Sequence, residues 1–316
     1  MSKNKLGNTL KKFFVALFIT AFFLFGCKFP ATYERSENIM ATVVTLKATG
    51  IDAQVAVDES FKKIFEFVED VKVDVKKIND GAGNGEFVKI SPNVFEVLKI
   101  SQEYAEITGG AFDVTIGAAV DLWKIAKKNK NLPAQEEIDR VKNFVGYKHL
   151  HLDEKNCSAY LDTAGMKINL GGVGKGYGVD IARKIFLEHE ISDGLIDFGT
   201  STIYAVGTKR IGLQNPRAEN FSDVVEISDA AISTSGDYEN FFEVNGKRYH
   251  HIINPVTCKP VDSGVISATV TVSNEIENCG TVADILSTSI FILGKERGEK
   301  TLPNKSCRLE KIFPNH

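Results

Sequence analysis

The sequence is poor in the residues that mark several common functional classes. It holds one Trp, three Met and five Cys in 316 residues. No Cys-x-x-Cys pair and no His/Cys cluster at zinc spacing occurs, which excludes zinc-ribbon and thioredoxin-type chemistry. There is no excess of base, with 38 Lys and Arg against 41 Asp and Glu. Four of the basic residues, Lys3, Lys5, Lys11 and Lys12, precede Cys27 with no acid among them. Removing those four leaves 34 basic residues against 41 acidic, a net of -7. Such a chain is a poor nucleic-acid binder by bulk electrostatics, and no nucleic-acid partner is expected. Any phosphate it handles requires a local device, such as a metal or a glycine-rich loop. Long apolar runs are also missing. The longest, Phe13 to Phe25, has 13 residues, short of the roughly 20 that a spanning helix needs.

What is present begins with that run. A basic stretch followed by a short apolar core fits a signal peptide over 1–26. Leu24-Phe25-Gly26-Cys27 resembles a bacterial lipobox. The reading is an exported lipoprotein with its lipid on Cys27, a tether over 27–36 and a catalytic domain over 37–316. It is expected on the membrane, in the periplasm or on the outer face of the cytoplasmic membrane. Cys157, Cys258, Cys279 and Cys307 are expected as buried single thiols, their pairing left open.

No repeat or low-complexity linker divides the rest. Thr42–Ala48 alternates as a strand. Asp52 is placed to cap a long helix with apolar positions Val57, Phe61, Ile64, Phe65, Val68, Val71, Val75 and Ile78. Asn79–Gly85 reads as a turn. Ser91-Pro92 opens a helix that stops at Gly109-Gly110, and another follows Pro133. Glycine-rich Leu170–Gly178 leads into a helix around Val179–Glu190. Short strands fill Leu195 to Val272, with Asn245-Gly246 as a type I′ hairpin turn. A last helix runs from about Thr281 to Leu293, ending at Gly294. Helices packed on a mostly antiparallel sheet make the fold class α+β.

Three segments carry candidate chemistry. Leu170–Gly178 frees backbone N–H groups to face an anion. It is neither a P-loop, since Asn169 and Gly176 stand at required positions, nor a dinucleotide fingerprint. Alone it reads as a tight strand-to-helix turn. Asp284 and Thr288 lie four apart on a helix face and offer two hard oxygens to Mg²⁺. Alone they read as an acid near a helix start and a hydroxyl bonded to a carbonyl. The third segment pairs Ser233–Tyr238 with Tyr249–Pro255. Adjacent strand residues face opposite sides, so only one of His250 and His251 faces a given site.

In this order, the segments resemble the ApbE-like family, the FAD:protein FMN transferases. Met40-Ala41-Thr42 is similar to the family's Met-Gly-Thr opening. Thr108–Asp113 with Trp123 resembles its Gly-Gly-Ala-Phe-Asp segment, and Asn169–Gly178 its glycine loop. Ser233–Tyr238, His250–Pro255 and Ala283–Thr288 resemble three further motifs. The match spans nearly the whole chain after the tether. It differs at Ala41, Thr200, Asn254 and Cys258, and no aromatic near Asn79 matches the family's Tyr over the flavin nucleotide.

The resemblance implies a T-fold-like domain with FAD, the substrate, in a cleft. It implies Mg²⁺ held by Asp284, Thr288 and the Gly172 carbonyl. It implies FAD contacts at Met40, Ala111, Phe112, Asp113, Asn169 and Lys175. His251, with Asp284, is the expected catalytic pair. The acceptor is a Thr or Ser of a flavoprotein in a membrane redox complex. FAD hydrolysis to FMN and AMP, or FAD carriage without turnover, are the alternatives.

Overall fold

The computed structural model describes residues 29–199 and 201–314. Cys27, the apolar run before it and Thr200 lie outside the described residues. The hairpin β1 (Ala31–Ile39) and β2 (Thr42–Gly50) leads into the long helix α1 (Ala53–Asp80). Next come β3 (Val88–Lys89), α2 (Pro92–Ile107), α3 (Gly117–Asn129), α4 (Gln135–Lys142), β4 (Leu150–Asp153) and β5 (Ser158–Leu161). Helix α5 (Gly174–Glu188) precedes β6 (Asp193–Phe198), β7 (Thr202–Gln214) and β8 (Phe221–Gly236). Two small hairpins follow: β9 (Phe241–Val244) with β10 (Lys247–His250), and β11 (Ile253–Asn254) with β12 (Lys259–Pro260). The last elements are β13 (Val265–Ser273), α6 (Cys279–Leu293), α7 (Lys295–Glu299) and β14 (Cys307–Pro314).

The main sheet is antiparallel throughout, in the order β1-β2-β6-β7-β8-β13-β14. Alternation divides its faces. Tyr204, Val206 and Ala231 join the main core with α1, α5 and α6. Their neighbours Ala205, Ala230 and Ile232 form a smaller cluster on the other face. A third cluster joins α3, α4 and the hairpins, through Trp123, Ile138, Val141, Ile253 and Cys258. The α+β expectation holds, and no described helix is long and apolar enough to cross a membrane.

Local expectations hold where the signal was specific. Ser91 caps α2 by accepting from the Val94 N–H, with Pro92 at the first position. Asn245 and Gly246 both have positive φ and join β9 to β10. Other details differ. Asp52 stands at the N-cap of α1 without a side-chain capping bond. Asn79 belongs to that helix, where its side chain exchanges two hydrogen bonds with the Ile168 backbone. Phe65 is 41% exposed while Phe67, passed over in the periodicity, is fully buried. Helix α5 starts at Gly174, inside the glycine loop rather than after it. Residues 31–36, assigned above to the tether, form most of β1 and pair with β2. The chain also reverses at Met40-Ala41, where both residues have positive φ although neither is Gly or Asn.

Candidate active site

Helix α6 is almost completely enclosed. Of residues 279–292 only Thr288 escapes full burial, and Asp284, one turn earlier, is 3% exposed. The start of α5 crosses the start of α6 at two glycines. A Cβ on Gly176 would lie 2.4 Å from the Gly280 carbonyl oxygen, and one on Gly280 2.7 Å from that of Gly176. Side chains are excluded there, so the two helix starts touch through backbone.

Each helix start then receives a carboxylate from the other helix. The Gly176 N–H donates to Asp284 Oδ2 at 3.0 Å. The N–H groups of Gly280 and Thr281 donate to Asp180 at 2.8 and 2.7 Å, and the Thr281 hydroxyl adds a bond of 2.6 Å. These are groups that a helix leaves unpaired at its first turn. Burial raises the pKa of Asp284; Lys175 and the Gly176 amide oppose the rise. Burial likewise pushes Asp180 up to about 6, against its Thr281 and Gly280 bonds.

Around this crossing lies a cleft of about 290 Å³. Ala111, Phe112, Asp113, Asn169, Gly172, Lys175, His251, Asp284 and Thr288 all line it, so one cavity collects nearly every candidate residue. Gly172 sits beside Thr288: a Cβ there would be 3.6 Å from Thr288 Oγ1 and 3.3 Å from the Phe112 ring. Ser235 bonds Thr288 Oγ1 at 3.1 Å and ties the end of β8 to α6. Asp113 accepts from the amide and hydroxyl of Thr115 at 2.7 and 2.6 Å. Burial raises its pKa against those bonds. Asn169 accepts from the Gly171 N–H at 2.9 Å and so shapes the glycine loop.

Met40 lines an adjoining compartment of about 840 Å³, which shares Asn169, Lys175 and His251 with the first. Phe67 and Tyr238 are on its wall. Glu239 and Asn240 line both compartments and were missed, although they directly follow the Ser233–Tyr238 motif. Desolvation raises the pKa of Glu239, Lys175 opposes the rise and Asp284 adds to it.

The two histidines divide as strand alternation requires. His250 is buried, with Nε2 donating to the Val261 carbonyl at 3.0 Å and its ring edge-on to Phe291. His251 opens to the cleft, and its Nδ1 lies 3.2 Å from the Asn240 carbonyl. A carbonyl only accepts, so Nδ1 carries the proton and Nε2 keeps its lone pair. Asn240, rather than Asp284, orients this ring. Desolvation pushes the His251 pKa down to about 4, with the Asn240 bond opposing and His250, Lys175 and Lys127 assisting. The ring is therefore neutral at pH 7 and able to take a proton.

The oxygens of Asp284, Thr288 and Gly172 fit a hard cation such as Mg²⁺. No group of three or more His, Cys, Asp or Glu that could hold a metal occurs among the described residues.

A model of the ApbE family matches residues 40–313, a span that contains every cleft residue named above. The chain belongs to the ApbE family. A family relative from Klebsiella pneumoniae, named FAD:protein FMN transferase, is 30% identical, with 84% of each chain covered. One of the same name from Treponema pallidum is 27% identical over 89% of this chain and 82% of its own. The ApbE protein of Thermotoga maritima superposes with a TM-score of 0.79 at 30% identity, covering 90% of this chain and 97% of that one. The flavin transferase ApbE of Vibrio cholerae gives 0.74 at 25% identity, covering 89% and 93%. One position where the sequence differs from the resemblance is Cys258. Its φ is 51°, the left-handed conformation to which glycine is best suited. All four described cysteines are free.

Proposed function

We propose that this chain is a Mg²⁺-dependent FAD:protein FMN transferase, moving FMN from FAD to a Ser or Thr hydroxyl of an acceptor flavoprotein and releasing AMP. The observation that supports this best is a neutral, cleft-facing His251 in the same cavity as Asp284, Thr288 and the start of α5. FAD is two nucleoside halves joined by a pyrophosphate. Two compartments that share Lys175 suit that shape.

The chain's own residues supply positioning and proton transfer. Lys175, in the first turn of α5, brings positive charge and the helix dipole to the pyrophosphate. Asp284, Thr288 and the Gly172 carbonyl would hold Mg²⁺, which would supply neutralisation of charge on the transferring phosphoryl group. His251 Nε2 takes the proton of the attacking hydroxyl. The acceptor oxygen bonds to the FMN phosphorus, the pyrophosphate bond breaks, and AMP leaves with the electron pair.

Incubating the purified chain with FAD and Mg²⁺ tests this reading. FMN fixed to a co-expressed acceptor supports transfer. FMN and AMP appearing equally with and without the acceptor, and no labelled protein, makes it a hydrolase. Unchanged FAD makes it a carrier. The same proposal includes export, a lipid on Cys27 and an acceptor in a membrane redox complex. Palmitate labelling of wild type and Cys27→Ala checks the anchor; label that persists in the variant overturns it.

A further inference from the structure

A third cavity, of about 160 Å³, opens between α3 and the β9–β10 hairpin. Asn240 and His251 line all three cavities. The base therefore stands at their junction. Size separates the roles. The third cavity is little more than half the volume of the smaller compartment assigned to FAD, about 160 against 290 Å³. A cavity of about 150 Å³ holds a group the size of benzene, which is the scale of one amino-acid side chain.

The walls also differ. Trp123 and Tyr249 stack at 5.7 Å between ring centroids, and Phe242 lies 5.6 Å from Tyr249. The floor is therefore aromatic and fixed, with Trp123 donating to the Cys258 carbonyl at 2.8 Å. The rim is basic. Lys124 and Lys127 line it from the last turns of α3, and Lys128 and Lys130 follow them closely in sequence, all four exposed. Four lysines within seven residues contrast with the acid excess of the domain. Lys124 and Lys128 are four apart and share a helix face. Lys124 meets Asp121 at 3.9 Å, while Lys127 bonds the side chain of Asn240, the residue whose carbonyl orients His251.

We infer that the groove between α3 and the β9–β10 hairpin docks the acceptor protein, as an extended acidic segment that offers one hydroxyl side chain to His251. This rests on the transfer reading above. The nucleophile must reach the same phosphorus as FAD yet come from another direction, and this cavity meets the first compartment along a shared wall of Val120, Lys124, Asn240, His251 and Ile253, with the base at the junction. Lysines on the rim attract acidic flanking residues and raise the encounter rate in a salt-dependent way.

The test uses the full chain with FAD bound and two fluorescent peptides. Each has a central threonine in an alanine-glycine context; one is flanked by glutamates and the other by lysines. Anisotropy should show the glutamate peptide binding roughly tenfold more tightly, with the preference fading as salt is raised. Lys128→Glu with Lys130→Glu should remove most of that preference and leave the FAD dissociation constant within about twofold, since neither residue lines an FAD compartment. No preference, no binding of either peptide, or an equal loss of FAD affinity overturns the inference. So does capture of phosphatidylserine-rich vesicles through these lysines with both peptides ignored. FMN and AMP release measured in peptide-free samples reports on the flavin chemistry separately, so failure of either reading is distinguishable.

Discussion

The two halves of the cleft are built in opposite ways. The α5–α6 crossing is enclosed, closes on backbone contact and holds Asp284 at 3% exposure. The β9–β10 side rests on a two-residue turn and presents an exposed His251 held by a main-chain carbonyl. One half fixes a charge in a low-dielectric setting, where it acts strongly. The other offers a proton acceptor where a second substrate must come and go. Damage to the first should therefore abolish metal binding and threaten the fold, while damage to the second should slow the chemistry and spare the fold.

The strongest challenge to that contrast is Asp284→Asn. It keeps an acceptor for the Gly176 N–H and removes only the charge. FAD cleavage in Mg²⁺ should fall by about 10³-fold or more, with Mg²⁺ affinity measured alone by calorimetry falling too. Near wild-type cleavage, with EDTA failing to stop the parent protein, would place the metal elsewhere. On the other half, His251→Ala should lower kcat by about 10²–10⁴-fold with an unchanged melting temperature. His250→Ala should do the reverse, costing about 2–3 kcal/mol of stability through its lost packing and Val261 bond. Equal kinetic losses at both positions would erase the distinction.

The pH profile sharpens the same point. His251 acts as a base only when neutral, and its pKa is lowered to about 4. The acid limb of kcat/KM should therefore lie below the usual histidine value. The stability contribution has the matching sign. It is present above the unfolded histidine pKa and is lost as pH falls towards the folded one. A limb near 6.5 would mean that the cleft does not desolvate the ring. The smallest effect is expected at the β1–β2 turn. Ala41→Gly should raise stability by about 0.5–1 kcal/mol in denaturant unfolding, because glycine accepts the φ of 60° there without the Cβ penalty.

How legible this was depended on the kind of signal. Asp284 with Thr288, and His250 against His251, follow from helical and strand periods, which are local. That the glycine loop meets Asp284 was not local: Gly176 and Asp284 are 108 residues apart, and only the motif order suggested it. Glu239 and Asn240 escaped because neither has a distinctive chemistry until Lys175 and His251 are brought beside them. The Met40-Ala41 turn escaped because it uses left-handed residues without the Gly or Asn that signals them. Helix α3 was seen only as Trp123, since its apolar side packs on α4 and the hairpins rather than on the main core.

The crossed starts of α5 and α6 have a consequence for how the protein opens. Each helix supplies the group that ends the other's unpaired first turn, so neither can fray from its N-terminus while its neighbour stays wound. Fraying ends normally exchange their amide hydrogens first. Here the amides of Gly176, Gly280 and Thr281, all bonded across the crossing, should be among the slowest to take up deuterium. They should exchange only when both helices separate, so their rates report opening of the whole core rather than breathing at a helix end.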